Sequence, residues 1–152
     1  MPNTYTQIHI HAVFAVKNRA CLIHNSWKDE LYRYIAGIIQ NHGHKVLIIN
    51  GMPDHVHILI GMRPHQSLSD LMRDIKSCST SWINDKGFLK YKFLWQEGFG
   101  AFSYSKKDIA NVIEYIYNQE LHHKKKTFTE EYIHLLEQQG IQYDARYIFS
   151  QI

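Results

Sequence analysis

The stretch from Thr4 to Val16 does most to limit what this chain can fold into. Ile8, Ile10, Ala12, Phe14 and Val16 take one parity, and Gln7, His9 and His11 the other. That is the period of a strand with one buried face. The period then lengthens. Leu31, Ile35, Ile38 and Ile39 form a helical stripe that opens at Asn25-Ser26, where Ser26 and Asp29 approximate a capping box, and closes at Gly43. Lys45 to Asn50 and His55 to Met62 read as two further strands around the turn Gly51-Met52-Pro53-Asp54. Ser67 to about Asn84 reads as a second helix with Leu68, Leu71, Met72 and Ile75 inward, and Gly98 to Tyr104 as a last strand. A third helix over about 106–123 and a fourth over Thr129 to Gln139 follow. Strand, helix, strand, strand, helix, strand is the order of a split βαβ domain. The expected fold class is therefore α+β, a ferredoxin-like (RRM-like) antiparallel sheet with helices on one face and extra C-terminal helices. The other sheet face should be free for ligand, nucleic acid or a second subunit.

Composition sets the outer bounds. The 152 residues suit one domain, 1–152, with an extension from about 127. A hydrophobic share of 45% against 20% charged excludes a disordered or fibrous chain. Cys21 and Cys78 are too few for a disulfide framework or a cysteine-rich zinc site. No apolar run approaches the ~20 residues a membrane span needs. The first twenty residues lack a basic stretch leading into an apolar one. We expect a cytoplasmic protein with no membrane partner. Eleven histidines and ten tyrosines are many for this length, and both serve metal, proton and nucleophile chemistry.

Pro53-Asp54-His55-Val56-His57 is the sharpest local feature. Side chains alternate along a strand, so His55 and His57 share a face while Val56 and Ile58 point into the core. Two imidazoles on one face just after a turn can both reach a divalent ion, but a third ligand is needed. His9-Ile10-His11 has the same spacing without a turn before it, and reads better as a polar sheet face beside the first pair. On the third helix, Ile109, Val112, Ile113, Ile116 and Glu120 share one arc, with Tyr117 taken as packing. Tyr115 and Gln119, four apart, stack on its flank. Alone that spacing means little, since Tyr147 and Gln151 repeat it.

In combination these pieces resemble the single-tyrosine HUH transposases of small bacterial insertion sequences, which include the REP-associated tyrosine transposases. The likeness runs from about Ile10 to Lys126. It is carried by His11-Ala12-Val13-Phe14 through Lys17-Asn18-Arg19, by Pro53 to His57, by Trp95-Gln96-Glu97-Gly98-Phe99-Gly100-Ala101-Phe102-Ser103, and by Tyr115 to Gln119. The resemblance implies that Tyr115 is the nucleophile and that His55, His57 and Gln119 bind a divalent cation, Mg2+ or Mn2+. It implies cleavage and rejoining of single-stranded DNA with hairpin ends through a 5′-phosphotyrosine link. It also implies a homodimer, with an active site that two subunits could share.

Charge distribution bears on DNA contact. Formal net charge is only +3, but lysines and aromatic rings interleave between Arg73 and Trp95. That mix can track a single strand and stack its bases. Arg73, Lys76, Lys90, Lys92 and Trp95 are the candidates there. Lys124 and Lys125, in the densest basic run, follow the helix that bears Tyr115. The competing readings are a non-catalytic single-stranded nucleic-acid-binding module and a host-domesticated hairpin nuclease.

Overall fold

The computed structural model describes residues 3–146 and 148. The outer ends of the expected 1–152 domain, and the Tyr147–Gln151 pair, lie outside the described residues. The chain runs β1 (Ile8–Ala15), α1 (Lys28–Asn41), β2 (Lys45–Met52), β3 (His55–Met62), α2 (Leu68–Lys86), β4 (Gly100–Tyr104), α3 (Ile109–Tyr117), α4 (Gln119–His123) and α5 (Phe128–Gln138). The strands form one sheet in the order β2-β3-β1-β4, and every neighbouring pair is antiparallel. This is the expected split βαβ arrangement.

The parity of β1 decides which residues go where. Ala12, Phe14 and Val16 join Val56, Ile58 and Ile60 beneath Leu31, Ile35 and Ile39 of α1 and Leu71, Met72 and Ile75 of α2. All of these are almost fully buried. At ~25 cal/mol per Å2 of apolar surface, this layer is the largest source of the fold's stability. Ser67 caps α2 by accepting from the Asp70 backbone N–H, and Gly87 at φ 69 ends it. At α1 the expected Ser26–Asp29 box does not form. The N-cap is Trp27, with no side-chain bond, and its indole stacks on Phe88.

The opposite face is not free, as it was expected to be. The C-terminal helices fold across it. Val13, Ala15 and Phe102 pack with Phe128, Leu135 and Leu136 of α5, and Leu59 packs with Val112 and Ile116 of α3. Gly100 permits this approach: a Cβ there would sit 2.6 Å from the Tyr132 ring of α5. Thr127 and Glu130 form a reciprocal capping box that starts α5 at a defined point, and Arg19 ties α5 to the loop after β1 through Thr129 Oγ1, 2.6 Å away.

The expected single helix over 106–123 is broken. A 3₁₀ turn at Lys106–Asp108 leads into α3, and Asn118 separates α3 from α4. The break has a tertiary cause. Asn50 of β2 donates its amide to the carbonyls of Ile116, at 2.9 Å, and Tyr117, at 3.1 Å. In a continuous helix those carbonyls would accept from the backbone N–H groups of Glu120 and Leu121. Tyr117 is 73% exposed and so is not the packing residue it was expected to be; Leu121, one turn on, is 58% exposed.

Candidate active site

β3 presents the two histidines, and the turn before it fixes their direction. Gly51 makes that turn possible, because a Cβ there would lie 2.2 Å from the His55 carbonyl oxygen. Val56 enters the core while His55 and His57 face the C-terminal helices, all at 0% exposure. Each imidazole is held from behind. His55 Nδ1 lies 2.7 Å from Asp54 Oδ1, and His57 Nδ1 lies 2.8 Å from His11 Nε2. Both Nε2 atoms are thereby turned to the same point, which is how second partners orient metal-binding histidines. The role of His11 is thus to back His57, across the β1–β3 ladder; its own Nδ1 is buried without a partner among the described residues.

Tyr115 and Gln119 meet this pair even though the helix breaks between them. Gln119 Oε1 lies 3.1 Å from His55 Nε2, and Gln119 is fully buried. Tyr115 is half-buried, with its ring edge-on to that of His57. Glu131 of α5, which no pattern in the sequence marks, joins them all. Its Oε1 lies 3.1 Å from His57 Nε2, 3.4 Å from His55 Nε2 and 3.1 Å from His123 Nε2. Its Oε2 accepts from the Tyr115 hydroxyl and, at 3.0 Å, from Gln119 Nε2. Phe128, one turn earlier on α5, stacks on His55 with ring centroids 3.8 Å apart.

The electrostatics follow from this crowding. Burial alone would raise the Glu131 pKa, but hydrogen bonds from His123, His55 and His57 outweigh it and hold the carboxyl far below its usual range. Burial pulls His57 down to about 4 against its hydrogen bond to Glu131, so this imidazole is neutral. A carboxylate only accepts, so His57 carries its proton on Nε2 and accepts at Nδ1 from His11. His55 ends above its usual value, because hydrogen bonds to Asp54 and Glu131 outweigh its burial. Burial first, then the Glu131 charge and hydrogen bond, push the Tyr115 phenol far above its usual value.

The donor set fits a divalent cation. Ligand atoms of His55, His57 and Glu131 lie within 4.8 Å of one another, a spacing that can hold one ion. Two imidazoles, an amide oxygen and a carboxylate are a mixed N/O set that suits Mn2+ readily and Mg2+ less so.

The expected DNA contacts divide. Arg73, Lys90, Lys92, Lys124 and Lys125 are exposed. Arg73 lies beside Asp70 and Asp74. Lys76 is occupied: its ammonium bonds the carbonyls of Gln96 and Gly98, and burial lowers its pKa to about 8. Trp95 is corrected from a base-stacking residue to a core one. It is 7% exposed, packs on Phe14 and Phe93, and donates its indole N–H to Ser79 Oγ at 2.9 Å. Tyr91, 66% exposed between Lys90 and Lys92, is the ring available there.

Residues 4–119 match the family model described as IS200-like transposase. Among curated proteins, the chain is 26% identical over 118 residues to the ISDra2 transposase TnpA of Deinococcus radiodurans, covering 74% of this chain and 84% of that one. Two solved structures share the fold. A candidate transposase from Deinococcus radiodurans R1 aligns with a TM-score of 0.63 at 24% identity, covering 77% of this chain and 94% of that one. A REP-associated tyrosine transposase bound to a REP hairpin aligns with a TM-score of 0.61 at 19% identity, covering 80% and 72%.

Proposed function

Since the chain belongs to the IS200-like transposase family, we propose that it cuts and rejoins single-stranded DNA through Tyr115, with a divalent cation on His55, His57 and Gln119. One observation carries this reading: a single carboxylate, Glu131, touches both imidazoles with one oxygen and the tyrosine hydroxyl with the other. The nucleophile and the candidate metal ligands therefore form one constellation. Glu131 enters as a further ligand through Oε1 and as the group that orients the Tyr115 hydroxyl through Oε2.

The step balances. The Tyr115 oxygen attacks the scissile phosphorus and its phenolic proton leaves along its hydrogen bond to Glu131 Oε2, a carboxylate too weak a base to keep it, and passes on to water in the groove. A Tyr115 O–P bond forms and the P–O3′ bond breaks. The upstream strand leaves with a 3′-OH after taking up a proton, and the downstream strand stays on Tyr115 by its 5′-phosphate. Rejoining is the reverse attack by another 3′-OH, one phosphodiester exchanged for another, so no ATP is needed. A bound Mg2+ or Mn2+ would supply Lewis-acid polarisation of the phosphate oxygens. His11 and Asp54 keep the two imidazoles aimed, and Gln119 bridges His55 to Glu131.

The substrate we assign is single-stranded DNA with hairpin ends; the fold neighbour captured on a REP hairpin supports it. Arg73, Lys90, Lys92, Lys124 and Lys125 hold its phosphates, and Tyr91 takes the stacking role first given to Trp95. Lys76 braces the 96–98 loop. All parts of the centre come from one chain, so we read a homodimer as bringing two DNA ends together rather than completing the site. No helix among the described residues is long and apolar enough to cross a membrane, and two free, exposed cysteines suit the cytoplasm.

The test incubates the protein with single-stranded oligonucleotides from both flanks of its gene, with Mg2+ or EDTA, and resolves the products on denaturing gels. A Mg2+-dependent protein–DNA adduct, absent in Tyr115→Phe, is expected. Adduct formation by that variant would remove Tyr115 from the role. Hairpin binding without any adduct would leave only the binding module, and adducts confined to chromosomal repeat hairpins would identify a domesticated nuclease.

A further inference from the structure

A cavity of about 770 Å3 opens beside Tyr115, between α3 and α4 on one side and α5 on the other. That is within the ~300–1,000 Å3 of small-ligand sites. Its inner end is the reactive centre itself, with His11 at the floor and Tyr115 and Glu131 on the two walls. Its body is apolar and aromatic, built from Val112, Leu121, Leu135, Tyr104 and the His122 ring. Two amides, Asn111 and Gln138, line it further out. Lys124, Lys125 and Lys126, with His123, His134 and a single further acid, Asp108, complete the lining.

Helix geometry explains this layout. Asn111 lies one turn before Tyr115 on α3. Glu131, then His134 and Leu135, then Gln138 lie three or four residues apart on one face of α5. Seven residues at 1.5 Å each put Gln138 about 10 Å along the axis from Glu131. The groove thus runs one nucleotide's reach away from the scissile position and ends in amides. Leu121 leaves 58% of its surface exposed here, an apolar surface that a flat ring would cover. An amide offers a donor beside an acceptor, the pairing that reads a base edge.

We propose that this groove is a nucleobase pocket, which takes the unpaired base flanking the scissile phosphate, with Asn111 and Gln138 reading that base's edge. The inference rests on the strand-cleavage reading for the identity of the ligand, single-stranded DNA. The occupant is argued from charge and continuity. The three lysines match a phosphate backbone, and the apolar walls match a base stacked away from water. Asn111 and Gln138 are exposed and outside the catalytic machinery. Replacing them therefore tests recognition without endangering the fold.

The experiment titrates the full chain with each of the four deoxynucleoside 5′-monophosphates, and separately with inorganic phosphate, while following the methyl signals of Val112, Leu121 and Leu135 by NMR. The nucleotides should shift these methyls, phosphate alone should not, and one base should bind at least ~5-fold more tightly than the weakest. Asn111→Ala with Gln138→Ala should level that ranking. Equal shifts with phosphate and nucleotide, or shifts confined to other surfaces, would overturn the proposal. A second arm sequences the covalent adducts formed on oligonucleotides randomised on both sides of the cleavage position. A base preference at one flanking position, lost in the double variant, supports the pocket and says which flank fills it. Adducts with no flanking preference would refute the pocket alone. Nucleotide shifts without any adduct would refute strand cleavage and leave the pocket standing.

Discussion

Replacing Glu131 by Ala in metal-free protein removes the acceptor from five groups at once. Four are within 3.1 Å or in direct hydrogen bond: His57, His123, Gln119 and the Tyr115 hydroxyl. The fifth, His55, lies at 3.4 Å and is biased to its cationic form. Breaking a buried charged pair from one side costs ~3–5 kcal/mol. Counting separately the fully buried His57 and Gln119, left unpaired at ~1–3 kcal/mol each, arrives at the same range. We expect a loss of about 4 kcal/mol at pH 7, which lowers Tm by on the order of 10 °C for a domain of this size. Tyr115 adds little to the loss, because it is only half-buried and can turn to water in the groove. The assay is urea unfolding in EDTA, wild type against Glu131→Ala, from pH 7 to pH 3. The folded pKa of Glu131 is depressed, so its stabilisation is fully present above the ordinary 4.5 and is lost as pH falls below that. The gap between the two proteins should widen from pH 7 to about 5, because Glu131 helps hold the His55 pKa up only in the wild type, and narrow below 4.5. A loss under ~1 kcal/mol, or a gap that ignores acid, would refute the view of Glu131 as the centre of the network.

Other outcomes follow from the same geometry. A metal needs His55 without its Nε2 proton, and that proton is held above the ordinary 6.5 by Asp54 and Glu131. Mn2+ affinity measured by calorimetry should therefore rise about tenfold per pH unit until His55 has titrated, with one proton released per ion, then level off; a flat profile from pH 6 to 7 would contradict this. Trp95→Ala should cost ~3–5 kcal/mol in urea unfolding, as a large core deletion does, whereas Tyr91→Ala should leave stability within ~0.5 kcal/mol and weaken single-strand binding in a gel shift. Asn50→Ala frees the carbonyls of Ile116 and Tyr117; adduct formation should fall at least ~10-fold as Gln119 loses its placement, and unchanged activity would show that the break at Asn118 does not matter.

The strand order and the facing of His55 and His57 were legible because both depend on period-two alternation, which survives any tertiary detail. Tyr115 and Gln119 were legible only through resemblance, since their four-residue spacing implies a continuous helix and the helix is not continuous. No Gly or Pro marks the break at Asn118; its cause is an asparagine 68 positions earlier in the chain. Glu131 was missed for a related reason. In sequence it is an acidic residue in the first turn of an exposed-looking helix, where the helix dipole alone would account for it. Only the fold of α5 across the second sheet face, allowed by Gly100 and anchored by Arg19, takes it to the histidines 74 and 76 positions away. Trp95 misled because an aromatic beside lysines has the composition of a nucleic-acid surface, while β-bridge pairing with Val16 turns it inward.

The most direct measurement is the position of the DNA on the protein. Tyr115 and Tyr117 lie two residues apart in the peptide between Lys107 and Lys124, and Tyr117 is much the more exposed. Fragmentation mass spectrometry of the adduct, after nuclease and trypsin digestion, distinguishes them. The account predicts a nucleotide phosphate on Tyr115 alone. A nucleotide on Tyr117, or on any other of the ten tyrosines, would contradict it.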